Sequence, residues 1–431
     1  MIEPSATRGF SHAWRALRHR NFRLFFGGQT ISLVGNWMTR IATSWLVYRL
    51  TGSALLLGLV GFAGQIPTFL LAPFAGVWVD RLNRQRVLVV TQALAMLQSF
   101  ALAALTLAKL ITIPEILALS IFQGFINAFD MPGRQSFMVQ MVEDRQDLGN
   151  AIAINSSMVN MAQLVGPSLG GIVIAGLGEG YCFLIDGISY IAVIASLLMM
   201  RLRTTAIKRE TTSMLEQLKE GFTYVSGSAP VRSILILFAI IGLMGWPYMV
   251  LMPIFAGGIL KGGPDTLGFL MGAVGIGALA SGLSLAIRKT VIGLDKMLPI
   301  AAALLGVGLI LFAMSRTLWL SMILMLITGF GMMQVATASN TIIQTIVPED
   351  KRGRAMSYYT MAFVGMAPFG SLLAGALAHA IGAPLTFIIN GLCCIAGAAW
   401  FATRLKSIRA LIHPIYADQG ILPLKTVLNK G

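Results

Sequence analysis

Twelve long apolar runs, separated by short polar segments, constrain this chain more than any other feature. They fall at 22–48, 54–79, 87–108, 113–131, 150–176, 181–200, 232–256, 266–287, 296–314, 318–338, 355–380 and 384–403. A helix that crosses a bilayer needs about 20 mostly apolar residues, so each run is long enough to be one. Composition agrees: 56% of the 431 residues are hydrophobic and 11% are charged, against about 25% charged in a soluble domain. The expectation is an all-α integral membrane protein with twelve transmembrane helices.

The basic residues orient it. With both tails and alternate loops on one side, that side holds 27 of the 32 lysines and arginines. Arg49, Lys109, Lys261 and Arg316 fall on the other side, and Arg40 is the one basic residue deep inside a run, away from its ends. The positive-inside rule then puts both termini in the cytoplasm. A net charge of +15 would suggest nucleic acid in a soluble protein; in loops beside apolar runs it implies orientation and contact with anionic membrane lipid, so no nucleic-acid partner is expected. Residues 1–21 carry Arg8, Arg15, Arg18 and Arg20 with no apolar core or small-residue cleavage site, which reads as a cytoplasmic tail and not a signal peptide.

The longest polar break, 201–231, is expected to be a cytoplasmic loop between two halves of six spans each, 22–200 and 232–403, with 404–431 as a second cytoplasmic tail. Within the break, Met214, Leu215, Leu218 and Phe222 fit one face of a helix lying along the inner membrane surface. The halves read as diverged copies. Gly166-Pro167-Ser168-Leu169-Gly170-Gly171 is answered by Ala367-Pro368-Phe369-Gly370-Ser371, an offset of 201 between the prolines, and a short charged loop precedes each. Two pseudo-symmetric six-helix bundles are therefore expected.

Between the second and third runs stands Gly76-Val77-Trp78-Val79-Asp80-Arg81-Leu82-Asn83-Arg84-Gln85-Arg86, a tight charged hairpin. Gly76, Asp80, Arg81, Arg84 and Arg86 resemble the Gly-x-x-x-Asp-Arg-x-x-Arg signature of major facilitator superfamily transporters, with Gln85 displacing the last basic residue by one step. The stretches around Trp45–Ser53, Phe129–Gln135 and Asn150–Ser156 are similar to the branch that includes enterobactin and macrolide exporters. The resemblance covers essentially the whole chain. It implies alternating access between two six-helix bundles that rock about a midplane cavity. It also implies a cytoplasmic latch, in which Asp80 faces the positive end of span eleven near Ala355 to Ser357 and Arg84 meets Asp130 and Arg134 at the inner end of span four.

Ala162 to Gly171 resembles the Gly-x-x-x-Gly-Pro-x-x-Gly-Gly signature of antiporter-type exporters, with alanine for the first glycine. Gly166, Pro167, Gly170, Gly171 and Pro368 are the expected hinge or seal, because small residues let helices approach and proline bends them. The arginine that such exporters carry in span four would fall at Ser120, ahead of Gln123-Gly124, so its part in proton coupling does not carry over.

Polar groups inside the runs are the remaining candidates, since a charge near the bilayer centre is costly and faces a cavity or a partner. Arg40 and Asp186 lie a similar way in from the outer side, either as a pair or with Arg40 lining the cavity. Asn36, Gln65, Gln123, Asn127, Asn155, Gln334 and Asn340 complete the expected substrate or proton pathway. The three cysteines all lie in apolar runs and offer neither a disulfide framework nor a zinc site. No phosphate loop and no nucleophile with its base is present, so neither ATP-driven transport, nor an enzyme, nor a cofactor is indicated.

The reading that follows is a monomeric secondary transporter of the bacterial inner membrane, exporting a small amphipathic molecule such as a siderophore or drug in exchange for protons. Two alternatives stand beside it: a lysophospholipid flippase, which would need no central acid, and a non-transporting membrane sensor or scaffold on the same frame.

Overall fold

The computed structural model describes residues 15–142, 144, 147–200, 214–288 and 290–421; within its helices the side chains of 72, 73, 77, 80, 139 and 214–218 lie outside the description. Among the described residues there are helices and no strands, which suits a medium that cannot hydrogen-bond exposed backbone. The helices are α1 (Arg20–Thr51), α2 (Ala54–Arg81), α3 (Arg84–Leu107), α4 (Ile113–Met141), α5 (Leu148–Leu177), α6 (Glu179–Met199) and α7 (Met214–Gly227). There follow α8 (Ala229–Ile259), α9 (Pro264–Ala286), α10 (Leu294–Met314), α11 (Leu318–Ile346), α12 (Glu349–Phe363), α13 (Ala367–Ile381) and α14 (Ala383–Asp418).

Ten of the spans, one of them made of α12 and α13 together, are long and apolar enough to cross a membrane. Helices α1 and α4, with 32 and 29 residues, exceed the roughly 20 that a bilayer requires but are more polar than those ten.

Several helices outrun their apolar sequence. The apolar run in α4 ends at Met131, yet the helix passes through Pro132 to Met141, about 43 Å at 1.5 Å per residue. Its extension is buried in protein: Phe137, Met141 and Val142 pack with Phe22, Phe25, Leu88, Ala151 and Ile154. The last helix likewise continues past the run ending at 403, burying Ile408, Ile412 and Tyr416 and pairing Arg409 with Asp295 at the start of α10.

Contacts divide the chain into two compact units. One comprises Met1–Thr51, Ala63–Arg209 and Gly262–Gly272; the other comprises Gly52–Phe62, Glu210–Lys261 and Ala273–Gly431. In the first, α1 packs on α5 and α6, and α3 on α4 and α6. In the second, α10 packs between α11 and α14. There Gly306 and Gly391 meet backbone to backbone, each with the other's carbonyl 2.5 Å from where its Cβ would be, and Phe255, Phe312 and Phe387 form an aromatic triangle with centroids 4.5–5.6 Å apart.

Helix α7 forms where the amphipathic pattern places one, but it packs on α12 in the second unit. Gly221 and Val225 are buried, Glu220 pairs with Arg354 at 2.5 Å, and Lys351 lies 5.1 Å over the Tyr224 ring. Phe222, expected on the membrane-facing side, is exposed and 6.4 Å from Tyr358. The side chains of Met214, Leu215 and Leu218 lie outside the described residues.

Helices α12 and α13 are separated by a break at Val364–Met366. Pro368 explains it: a proline has no N–H for the carbonyl four residues back and its ring clashes with that carbonyl, here Val364. Beside the break, α8 carries a π-helical segment at Ile241–Gly245, a form frequent at functional sites. Phe238 stacks on Tyr359 and Phe363 at 4.6 Å in each case. Two irregular segments thus lie side by side.

Candidate functional site

The charged hairpin is a two-residue link. α2 ends at Arg81 and α3 begins at Arg84, with Asn83 as N-cap: its side-chain oxygen accepts from the Arg86 N–H at 3.1 Å. Capping by asparagine satisfies one of the donors that a helix start leaves free. Arg81 and Arg86 are exposed. Arg84 donates through Nη1 to the Ser136 carbonyl at 3.3 Å, and Gln85 donates to the Leu197 carbonyl at 2.6 Å. Gly76 has open space where a Cβ would stand. Asp80 lies in the last turn of α2, and its side chain lies outside the described residues.

Asp130 is 2% exposed and forms an ion pair with Arg134 one turn on. Its Oδ1 also accepts from Gln92 Nε2 at 2.7 Å and from the Thr91 hydroxyl at 3.1 Å. The structure pairs Asp130 with Arg134, while the Arg84 Nη1 contact falls one half-turn beyond Arg134, on the Ser136 carbonyl. The expected dock is displaced. Span eleven begins at Glu349, not near Ala355, and Glu349 and Asp350 already occupy its first turn, where carboxylates complement the helix dipole.

A second buried carboxylate, Asp186, is 1% exposed. Its Oδ2 accepts from Thr39 Oγ1 at 2.9 Å and from Ser99 Oγ at 2.8 Å. Its Oδ1 has no hydrogen-bond partner and lies 2.7 Å from where a Cβ on Gly35 would be. No ion pair joins Arg40 to it; the Arg40 guanidinium lies 5.0 Å over the Trp37 ring. Helix geometry gives the reason, since successive residues are about 100° apart, and with Thr39 turned to Asp186, Arg40 faces elsewhere. One turn along α6, Tyr190 is buried and its hydroxyl accepts from Asn36 at 3.4 Å.

Helix α3 supplies the hydroxyl and amide partners that sequence reading missed. Thr91-Gln92 meets Asp130, and Ser99, beside Gln98, meets Asp186. The signal was present: two polar pairs seven residues apart share one helix face in an otherwise apolar run.

The glycine signature of α5 packs two ways. Gly166 meets α1, with Trp37 Cβ 2.5 Å and the Val34 carbonyl 2.9 Å from where its Cβ would be, and Gly170 lies against Met38. Gly171 turns to α9: its Cβ would stand 2.6 Å from the Pro264 carbonyl and 2.8 Å from Gly268 Cα. Pro167 is buried within an unbroken α5. In the other unit, a Cβ on Gly375 of α13 would stand 2.8 Å from the Ala54 carbonyl and 2.7 Å from Gly58 Cα, while Gly370 lies against the Leu243 carbonyl and Pro247 of α8. The two seams match in kind, a glycine on a glycine in each, and correspond in number when 210 is added to the α2 numbers and 204 to those of α5. Gly166 then answers to Gly370 and Gly171 to Gly375. The two prolines stand in different settings: Pro167 lies inside a continuous helix, and Pro368 opens a new one.

The remaining candidates are dispersed. Gln123 donates to Asn127 at 3.1 Å within α4. Gln334 is buried, accepting from Ser281 at 2.7 Å between α9 and α11. Asn340 accepts from Gln344 at 2.6 Å on α11. Gln65 and Asn155 are half-buried. Ser120, which replaces the exporter arginine, lies by Gly64.

Long apolar helices, two matching seams and carboxylates buried among them define a membrane transporter of the major facilitator class. The chain belongs to the transmembrane secretion effector family, whose family model matches residues 11–414. It is an integral membrane transporter of a small-molecule substrate and not an enzyme. It is 26% identical to the staphyloferrin A transporter of Staphylococcus aureus over 385 residues, 89% of this chain and 96% of that one. It is 27% identical over 362 residues to the multidrug efflux pump Tap of Mycolicibacterium fortuitum, 82% and 88% of the two chains. Solved structures of the same fold include a POT family transporter in complex with 5-aminolevulinic acid, TM-score 0.73 at 12% identity over 90% of this chain and 96% of that one. Another is an inward-facing, unoccupied bacterial homologue of the human lysosomal transporter Spinster, TM-score 0.70 at 13% identity over 90% and 98%.

Proposed function

We propose that this protein exports a small amphipathic molecule, of siderophore or drug class, from the cytoplasm by alternating access in exchange for protons. It acts as a monomer in the bacterial inner membrane, with twelve spans in two six-helix bundles and both termini in the cytoplasm. The observation that carries the reading is the matched pair of backbone seams, Gly171 on Gly268 and Gly58 on Gly375. By the charge asymmetry, both lie toward the outer face. Seams without interlocking side chains close tightly yet part without stripping packed groups from one another, as release to the outside requires. In the same cycle the Asp80–Arg86 hairpin, with Asp130 and Arg134, serves as the cytoplasmic latch. Val364–Pro368 serves as a hinge.

Asp186 supports the choice of proton as coupling ion: it is buried among hydroxyls with no cation within ion-pairing distance among the described residues. Arg40, exposed beside Trp37, lines the substrate path. The names of the siderophore transporter and the efflux pump support the substrate class. Uptake into everted vesicles under an imposed pH gradient tests the reading, with a hydroxycarboxylate siderophore, a cationic dye and a lysophospholipid offered in parallel. Gradient-dependent uptake of the siderophore or the dye is expected. Uptake of lysophospholipid alone would replace the reading with a flippase.

A further inference from the structure

The first unit contains a groove beside the hairpin to which the transport cycle proposed above gives no occupant. It lies between the start of α3 and the middle of α4, encloses about 490 Å³, and is walled by Val90, Leu94, Phe122, Phe125 and Phe129. Its polarity is confined to one end, where Asn83 and Arg86 close it. Thr91 also lines the wall, but its hydroxyl is engaged by Asp130 Oδ1 and the Leu88 carbonyl. Arg86 is exposed, and no carboxylate pairs with its guanidinium among the described residues. Val90 and Phe125 are 55% and 46% exposed, so the groove opens sideways.

Length and charge identify the occupant. From Asn83 to Leu94 the groove follows α3 for eleven residues, about 16 Å at 1.5 Å per residue. One leaflet of a bilayer is about 15 Å of hydrocarbon, half of the whole core. The apolar wall therefore spans a single leaflet and stops near the midplane, while the guanidinium stands at headgroup level. An arginine binds phosphate through paired donors and is weakly hydrated, which suits it to that boundary.

We propose that this groove is a binding site for one anionic phospholipid, drawn from the leaflet that adjoins the Gly76–Arg86 hairpin. One acyl chain lies against Val90, Leu94 and Phe125, and the phosphate is held by Arg86. Because Thr91 presents one side to the groove and its hydroxyl to Asp130, the bound lipid props the wall that holds the Asp130–Arg134 pair. Lipid occupancy and latch geometry are thereby linked.

The test is native mass spectrometry of the full-length protein in mild detergent, titrated with phosphatidylglycerol and, separately, phosphatidylcholine. One phosphatidylglycerol per chain is expected to be retained about fivefold more tightly than phosphatidylcholine, the worth of one basic residue at an anionic surface. Arg86→Gln should remove that preference, and Arg86→Lys should keep most of it. Val90→Trp, which fills the groove, should weaken both lipids while leaving thermal unfolding unchanged. Equal retention of phosphatidylglycerol by wild type, Arg86→Gln and Val90→Trp would overturn the proposal. So would full competition by inorganic phosphate, which would make Arg86 a plain anion contact. Displacement of the lipid by a transported dye, lost in Val90→Trp, would make the groove a substrate path and overturn it as well.

Discussion

Gly171 and Gly268 touch backbone to backbone, so closely that a Cβ on the first would stand 2.8 Å from Cα of the second. The carbonyl of Pro264 is nearer still, at 2.6 Å, so no larger side chain fits without moving a helix. Gly171→Val should lower stability by about 1–3 kcal/mol, the usual range for overpacking, and should slow transport by holding the seam apart. Gly176→Ala, where a Cβ meets open space, is the matched control and should change neither. Thermal unfolding in detergent and vesicle transport read the two effects.

The mirrored seam makes a sharper demand. If Gly58 and Gly375 do for α2 and α13 what Gly171 and Gly268 do for α5 and α9, then Gly375→Val should reproduce the Gly171→Val defect in kind. Normal transport by one variant and failure of the other would break the proposed equivalence.

Asp130 accepts from Gln92 and Thr91 while paired to Arg134. Asp130→Asn leaves a half-buried guanidinium without its counter-ion and should cost more than Asp130→Asn combined with Arg134→Gln. A double-mutant cycle on thermal stability should give a coupling of about 0.5–3 kcal/mol. Additivity would reduce the pair to a surface contact.

Pro368 opens α13 after the Val364–Met366 break. Pro368→Ala restores a backbone donor toward Val364, so the break should become helical and the protein should unfold at a higher temperature, with slower transport if the break is a hinge. Hydrogen exchange at residues 364–368 reads the first effect and vesicle uptake the second.

Much of this was legible in the sequence. The apolar runs placed the helices, and the link between α2 and α3 is the tight turn that its charged residues predict. Other features were hidden for identifiable reasons. Hydropathy reports the part of a helix that meets lipid, so it stopped at Met131 and at 403, whereas α4 and α14 continue where protein takes over the burial of Phe137, Met141, Ile408 and Ile412. Pro167 and Pro368 look equivalent in sequence yet sit in an unbroken helix and at a helix start, while the close backbone contacts fall on the neighbouring glycines. Arg40 stands out as the one basic residue deep inside a run, yet the partners of Asp186 are hydroxyls, on Thr39 and Ser99, which carry no charge signal at all.

Asp186→Asn tests the central claim most directly. In everted vesicles loaded with substrate, this variant should retain substrate exchange with no gradient imposed and lose accumulation driven by the pH gradient, because the amide preserves the contacts with Thr39 and Ser99 but cannot carry a proton. Full gradient-driven accumulation by Asp186→Asn, at the wild-type rate, would contradict proton exchange through this carboxylate.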